Sequence, residues 1–205
     1  MSTFTDSVVE EICATAARMV VEEGLDYGAA KRRAVRQLGL PTRTALPDND
    51  ALEDAVMDYI GMFCADSQPR ELLALRCLAL TWMERMAEFR PYLGGAVWHG
   101  SATRLSDIYM QLFCDDAKLP EIRLMDHRVD YVPRTVTGFN GESVSALSVH
   151  SFSEDLGLDI GVHLMIYDLD DIRGALRPDG KGRSPRGDTQ AVRRLVSAMS
   201  PNLAP

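Results

Sequence analysis

Four residues between positions 100 and 130 have the types and spacing for phosphate chemistry. Gly100-Ser101 is a glycine followed by a hydroxyl, and Asp107 and Asp130 are carboxylates set among apolar residues. A glycine lets backbone N–H groups come close to a triphosphate, and a serine hydroxyl adds a donor to a phosphate oxygen. Carboxylates that enter one cavity from neighbouring strands suit Mg²⁺, which prefers oxygen ligands. The ion would bind the triphosphate and activate an attacking hydroxyl. Gly100 and Ser101 are therefore candidates to hold a phosphate, and Asp107 and Asp130 are candidate acids beside them. Arg104, Arg173, Lys181 and Arg183 are candidate phosphate contacts.

Arg173, Arg177, Lys181, Arg183 and Arg186 share a Gly/Pro-rich stretch that follows an acidic cluster, Asp168, Asp170 and Asp171. This basic loop either folds over a phosphate or offsets the nearby acids, and both readings are open here. So are the plainer ones for the other residues: Gly100-Ser101 as an ordinary turn, Asp107 as a cap, Asp130 as a surface residue. His99 could orient a phosphate or simply end a strand. His150 and His163 alternate with apolar residues, as sheet positions do. Order along the chain gives no Ser-His-Asp or Cys-His arrangement, and Ser101 lacks a GxSxG setting.

The elements that must position these residues fall in two halves. Through residue 91 the apolar spacing is helical. Thr5 or Asp6 caps a first helix that stops at Gly24, and Asp26 caps a second that runs to Gln37. Lys31, Arg32, Arg33 and Arg36 on that second helix form either a solvated face or a phosphate-binding one. A third helix opens at Asp48 or Asn49, and a fourth runs from Pro69 to Phe89. After Pro91 the texture becomes short β-branched or alternating runs at 96–99, 107–114, 129–136, 144–152 and 162–167. Turn residues punctuate them, notably Phe139-Asn140-Gly141 and Asp155-Leu156-Gly157. The runs at 144–152 and 162–167 are expected to pair antiparallel, 120–127 to link two strands as a helix, and Asp188 to cap a last helix. The reading is α+β: a helical region over 1–91 packed on a small mixed or antiparallel sheet domain over 92–205.

The segment from Ala96 to Phe113 resembles the polymerase-β-like nucleotidyltransferase superfamily. There an apolar strand ends in Gly-Ser or Gly-Gly, and a following strand begins Asp-apolar-Asp/Glu-apolar. Gly100-Ser101 and Asp107-Ile108 match the first half of that pattern, and Tyr109 stands where the superfamily has its second acid. Asp130 sits in an apolar-Asp-apolar run in the order expected of a third acid. The resemblance implies a nucleotidyltransferase-like fold, a nucleoside triphosphate held at Gly100 and Ser101, Mg²⁺ with Asp107 and Asp130 as its ligands and the catalytic residues, and transfer of a nucleotidyl group to an unknown acceptor. The alternative is a catalytically inactive nucleotide- or protein-binding regulatory module of the same fold.

The whole chain is also similar to a family of small proteobacterial proteins that carry the name of a muramate–alanine ligase. The similar stretches are Glu23-Gly24-Leu25-Asp26-Tyr27 with Ala30-Lys31-Arg32, Leu46-Pro47-Asp48-Asn49, Ser106-Asp107-Ile108, and the eight residues from Leu169 to Leu176. The ligase activity itself is rejected on physical grounds. Such ligases bind ATP with a Gly-rich loop ending in Lys-Ser/Thr, and no GxxxxGK[ST] segment exists here.

Bulk properties narrow the partners. With 46% hydrophobic and 25% charged residues in 205, the chain can bury a core without metals or disulfides. A formal charge of −8 disfavours a general nucleic-acid or membrane-surface role. The four cysteines are scattered with no CxxC pair, so they read as small buried hydrophobes rather than a zinc set. Without a basic-then-apolar leader or an apolar run of about 20 residues, the expected location is the cytoplasm, with no membrane partner.

Overall fold

Carboxylate caps start three of the helices. Asp26 Oδ1 accepts from the Ala29 N–H at 2.8 Å, Asp48 Oδ1 from Ala51 at 2.7 Å, and Asp188 Oδ1 from Ala191 at 2.7 Å. Each cap contributes about 1 kcal/mol by satisfying an amide that the helix leaves unpaired. The computed structural model describes residues 2–179 and 182–200, with side chains from residue 7 onward. Lys181 and the side chains of Thr5 and Asp6 lie outside the described residues. The chain divides into two compact units, 1–68 and 69–205.

The first unit holds α1 (Ser2–Glu23), α2 (Tyr27–Gln37) and α3 (Asn49–Phe63). Its core is Ile12, Ala16, Ala17 and Met19 of α1, Ala30, Ala34 and Val35 of α2, and Leu52, Val56 and Ile60 of α3. Gly24 and Gly39 follow α1 and α2 with φ near +68° and +66°, the left-handed conformation that glycine adopts without cost. Lys31 is buried, and its ammonium donates to the Pro47 carbonyl and to Asn49 Oδ1, both at 2.8 Å. That cation ties α2 to the start of α3, and Arg33 pairs with Glu23. Both have structural partners within the unit.

From Pro69 onward α4 (Gln68–Arg85) lies in the second unit, so this helix belongs with the sheet. There follow β1 (Tyr92–Gly94), α5 (Gly95–His99), β2 (Ile108–Phe113), α6 (Leu119–Asp126), β3 (Val132–Thr137) and β4 (Ser143–Ser153). Next come β5 (Leu158–Tyr167), α7 (Ile172–Ala175), β6 (Arg186–Asp188) and α8 (Thr189–Met199). The strands form one mixed sheet in the order β3-β4-β5-β2-β1-β6, antiparallel throughout except for the β2–β5 pair. The fold is α+β.

One face of the sheet carries the core. Leu93, Ile108, Met110, Leu112, Leu147, Val149, Ile160, Val162, Leu164 and Ile166 pack with Leu72, Leu75, Ala79, Trp82, Met83 and Met86 of α4. The α4 residues recur at three- and four-residue steps, which makes a single apolar stripe. On the other face, at one end, Phe113, Tyr167 and Ala175 cluster with Phe139 and Ile172.

One expected strand is a helix. Residues 96–99 lie in α5, because Gly95 turns left-handed at φ +65° and takes the chain off the sheet after β1. Gly100 (φ +99°) then caps that helix, its N–H bonded to the Ala96 carbonyl at 2.8 Å. An apolar run of four residues satisfies either geometry, and only the neighbouring glycines decide.

Candidate functional site

Strand registry fixes what shares the open face. Paired residues of adjacent strands face the same side, so Ser148 of β4, His163 of β5, Tyr109 of β2, Gly94 of β1 and Arg186 of β6 form one row across the sheet. Asp107 immediately precedes β2 and lies beside Gly161, which pairs with His150. Asp107 and Tyr109 are two positions apart and so share this face.

Within the row, His163 is held on three sides. Its Nδ1 meets Ser148 Oγ at 2.9 Å, its Nε2 meets Asp107 Oδ2 at 3.1 Å, and its ring stacks on Tyr109 at 4.8 Å with a 30° tilt. Nε2–H donates to the carboxylate, while the Ser148 hydroxyl donates to Nδ1 of a neutral ring and accepts from Nδ1–H of a charged one. Ser148 is buried, His163 half-buried, and Asp107 and Tyr109 open to solvent. Gly161 is required at its place: a Cβ there would sit 2.6 Å from Asp107 Oδ1.

The hydrogen bond from His163 holds the Asp107 carboxyl below its ordinary range. Burial opposes that shift, while the His163 charge, the Gly161 backbone N–H and His150 add to it. A carboxyl whose folded pKa lies below its unfolded value adds stability above the unfolded value of 3.8, and that stability disappears as pH falls through the depressed value. The wild-type urea midpoint is therefore expected to fall more steeply than that of Asp107→Asn between about pH 4 and pH 2. Equal slopes for the two proteins would show that the bond adds nothing in solution.

A Ser-His-Asp sequence of hydrogen bonds suggests acyl transfer, but the row lacks what that chemistry needs. Ser148 lies in the middle of β4, an interior strand whose backbone is paired to β3 and β5 on its two sides. No free pair of amides can stabilise an oxyanion beside its hydroxyl. The relay therefore positions His163 and, through it, Asp107.

The proposed metal geometry is corrected by the topology. Asp130 is exposed in the loop ahead of β3, and β4 and β5 lie between β3 and β2. Three strand spacings are about 14 Å, too far for two carboxylates to share an ion. Asp107 Oδ2 already accepts from His163, and Tyr109 occupies the position where a second carboxylate would stand. Among the described residues no group of three or more His, Cys, Asp or Glu side chains could hold a metal. This donor set does not fit a Mg²⁺ pair.

Gly100-Ser101 is also elsewhere. A Cβ on Gly100 would lie 3.7 Å from the Arg76 guanidinium and 3.9 Å from Leu72, both on α4 at the core face, opposite Asp107. Ser101 is only 2% exposed, and its hydroxyl has no hydrogen-bond partner. The bend is buried because it ends α5 against α4, so it cannot cradle a ligand with Asp107. The glycine pair that does border the row is Gly94-Gly95, with Gly94 paired to Tyr109 and a Gly95 Cβ position 3.9 Å from that ring.

The basic residues scatter. Arg104 is exposed, and its backbone N–H donates to Glu71. Arg173 is exposed on α7. Arg183 pairs with Asp179 at 2.9 Å, so it offsets a nearby acid. Arg186 donates to the Ala175 carbonyl and lies 4.7 Å over the Phe139 ring, where burial lowers its pKa.

Sequence reasoning missed His163, Ser148, Tyr109 as a ring partner, and Gly161. A signal existed in the hairpin: a register centred on the turn after Phe152 pairs Ser148 with His163 and His150 with Gly161. Compared with known protein families, curated proteins and solved structures, the chain matches none.

Proposed function

We propose that this chain is a nucleotidyltransferase-like binding module that takes a nucleotide without performing metal-dependent transfer. One observation carries the reading: two positions after Asp107 stands Tyr109, stacked on the imidazole that occupies the Asp107 carboxylate. Two carboxylates on one strand face are what two-metal transfer requires, and here an aromatic ring and a histidine fill that place. The Gly94-Gly95 turn beside the row, the parallel β2–β5 pair and the exposed Tyr109 ring support the nucleotide-binding part. An exposed ring offers a stacking surface that tolerates any base.

Isothermal titration with ATP, GTP, CTP and UTP, with and without Mg²⁺, tests this reading. The expected result is binding that magnesium does not change, about tenfold weaker in Tyr109→Ala, with no pyrophosphate released. Magnesium-dependent binding that Asp107→Asn abolishes, together with pyrophosphate release, would establish an active transferase instead. No binding of any nucleotide would also refute it.

A further inference from the structure

A second candidate surface lies in the helical unit. A groove of about 360 Å³ runs between α1 and α3, with Ala14, Ala17, Ala51 and Ala55 among its lining residues. It extends over residues 9–17 of α1 and 51–62 of α3. At 1.5 Å per residue these lengths are roughly 12 and 16 Å, or two to three helical turns. The small side chains keep the groove open, and Tyr59 closes one wall with its hydroxyl bonded to Glu22. Met62, 69% exposed, adds a polarisable apolar side chain at one end.

The charges lining the groove have one sign. Glu10, Asp54 and Asp58 border it, and among the described lining residues none is a cation. Asp54 and Asp58 are four residues apart and so stand along one edge of α3. Two copies of this surface would set carboxylate against carboxylate, on a chain whose net charge is already −8.

We infer that the α1–α3 groove docks a basic amphipathic helix, a partner segment that inserts apolar side chains at three- and four-residue spacing and places lysine or arginine against the acidic rim. The length of the groove matches successive anchors on one helix face. The carboxylates select the sign of the flanks. This inference is independent of the nucleotide reading, which concerns the sheet of the other unit.

The test uses the full chain and a fluorescently labelled 18-residue peptide, roughly five turns long, with leucine at every third or fourth position and lysine on both flanks. Anisotropy is expected to show saturable binding that weakens with added salt. The charge reversal Glu10→Lys with Asp58→Lys should weaken it at least about tenfold. Ala14→Trp, which fills the groove from an exposed position, should do the same while circular dichroism stays unchanged. A peptide of the same pattern with glutamate flanks should not bind. Equal binding of both peptides, or no loss in either variant, overturns the inference. So does no binding at about 1 mM peptide, or a concentration-dependent dimer of the chain that Ala14→Trp abolishes.

Discussion

Gly187→Ala is expected to lower the unfolding free energy by about 3 kcal/mol, or roughly 6–12 °C in Tm. Gly187 is buried in β6, opposite Leu93 of β1, and the Trp98 ring lies directly on it. A Cβ at this position would sit 2.0 Å from Trp98 Cζ3 and 2.3 Å from Cη2. Real atoms never approach so closely, so the ring or the strand must move. The ring is not free to swing away, because its Nε1 donates to the Ser184 carbonyl at 2.8 Å and its body packs against the main core. The strand is not free either, since β6 is held to β1 and leads straight into α8. Urea denaturation followed by tryptophan fluorescence reads this unit alone, because both tryptophans, Trp82 and Trp98, belong to it. A midpoint within error of the wild type would show that Trp98 repacks without cost.

Arg76→Met is the second large effect, expected to cost about 2–3 kcal/mol. Helix α5 is five residues long and its last carbonyls have no helical partners. Arg76, buried on α4, supplies them: Nε donates to the Val97 carbonyl and a terminal nitrogen to the Trp98 carbonyl, each at 3.0 Å. Its third nitrogen points at Met199 Sδ of α8 at 2.9 Å. One guanidinium thus joins α4, α5 and α8, and its planar fork suits two adjacent acceptors as no ammonium does. Methionine keeps the apolar stem and removes the donors, so two buried carbonyls are left unpaired. Burial already disfavours the charge and lowers the Arg76 pKa, and this offsets part of the loss. Arg76→Lys is expected to recover less than half of the lost stability, because a single ammonium cannot hold both carbonyls in line. Full recovery by lysine would mean that the charge, and not the fork, is what matters.

Both positions bear on the candidate site through its scaffold. Trp98 and the end of α5 sit between β6 and α4, and β1 with its Gly94-Gly95 turn leads directly into α5. A loosened α5 would displace the glycine pair that borders Tyr109. Loss of stability in these variants is therefore expected to accompany weaker ligand binding, whereas Tyr109→Ala should weaken binding and leave stability nearly intact.

Much of the secondary structure was legible in the residues themselves. The Asp26, Asp48 and Asp188 caps and the Gly24 stop are local devices, satisfied within four residues, so their signals survive without tertiary context. The antiparallel pairing of the 144–152 and 162–167 runs is likewise local, with one turn between them. The α4 helix is amphipathic in the same way as its predecessors, and nothing in its pattern says which core it joins. The run at 96–99 was misread as a strand because four apolar residues fit either geometry, and the left-handed Gly95 makes it a helix.

The site was legible in part. Asp107 lies at the start of its strand as the spacing suggested, but its companions came from elsewhere in the chain. Tyr109 was read only as a missing acid, and His163 and Ser148 only as sheet positions. Asp130 and Ser101 carried the right residue types and the wrong surroundings.

What the chain alone determined is the set of local choices: where helices begin and stop, which segments alternate, and that an acid stands just ahead of β2 with an aromatic two positions on. Those depend on contacts within a few residues. What only the tertiary structure decided is which of them meet. The parallel β2–β5 pairing brings Asp107 to His163 across more than fifty residues, and the sheet order sets Asp130 three strands away. The sheet also turns the Gly100-Ser101 bend to the opposite face from the aspartate. Strand order depends on burying a whole core at once, and no local pattern of residue types encodes it.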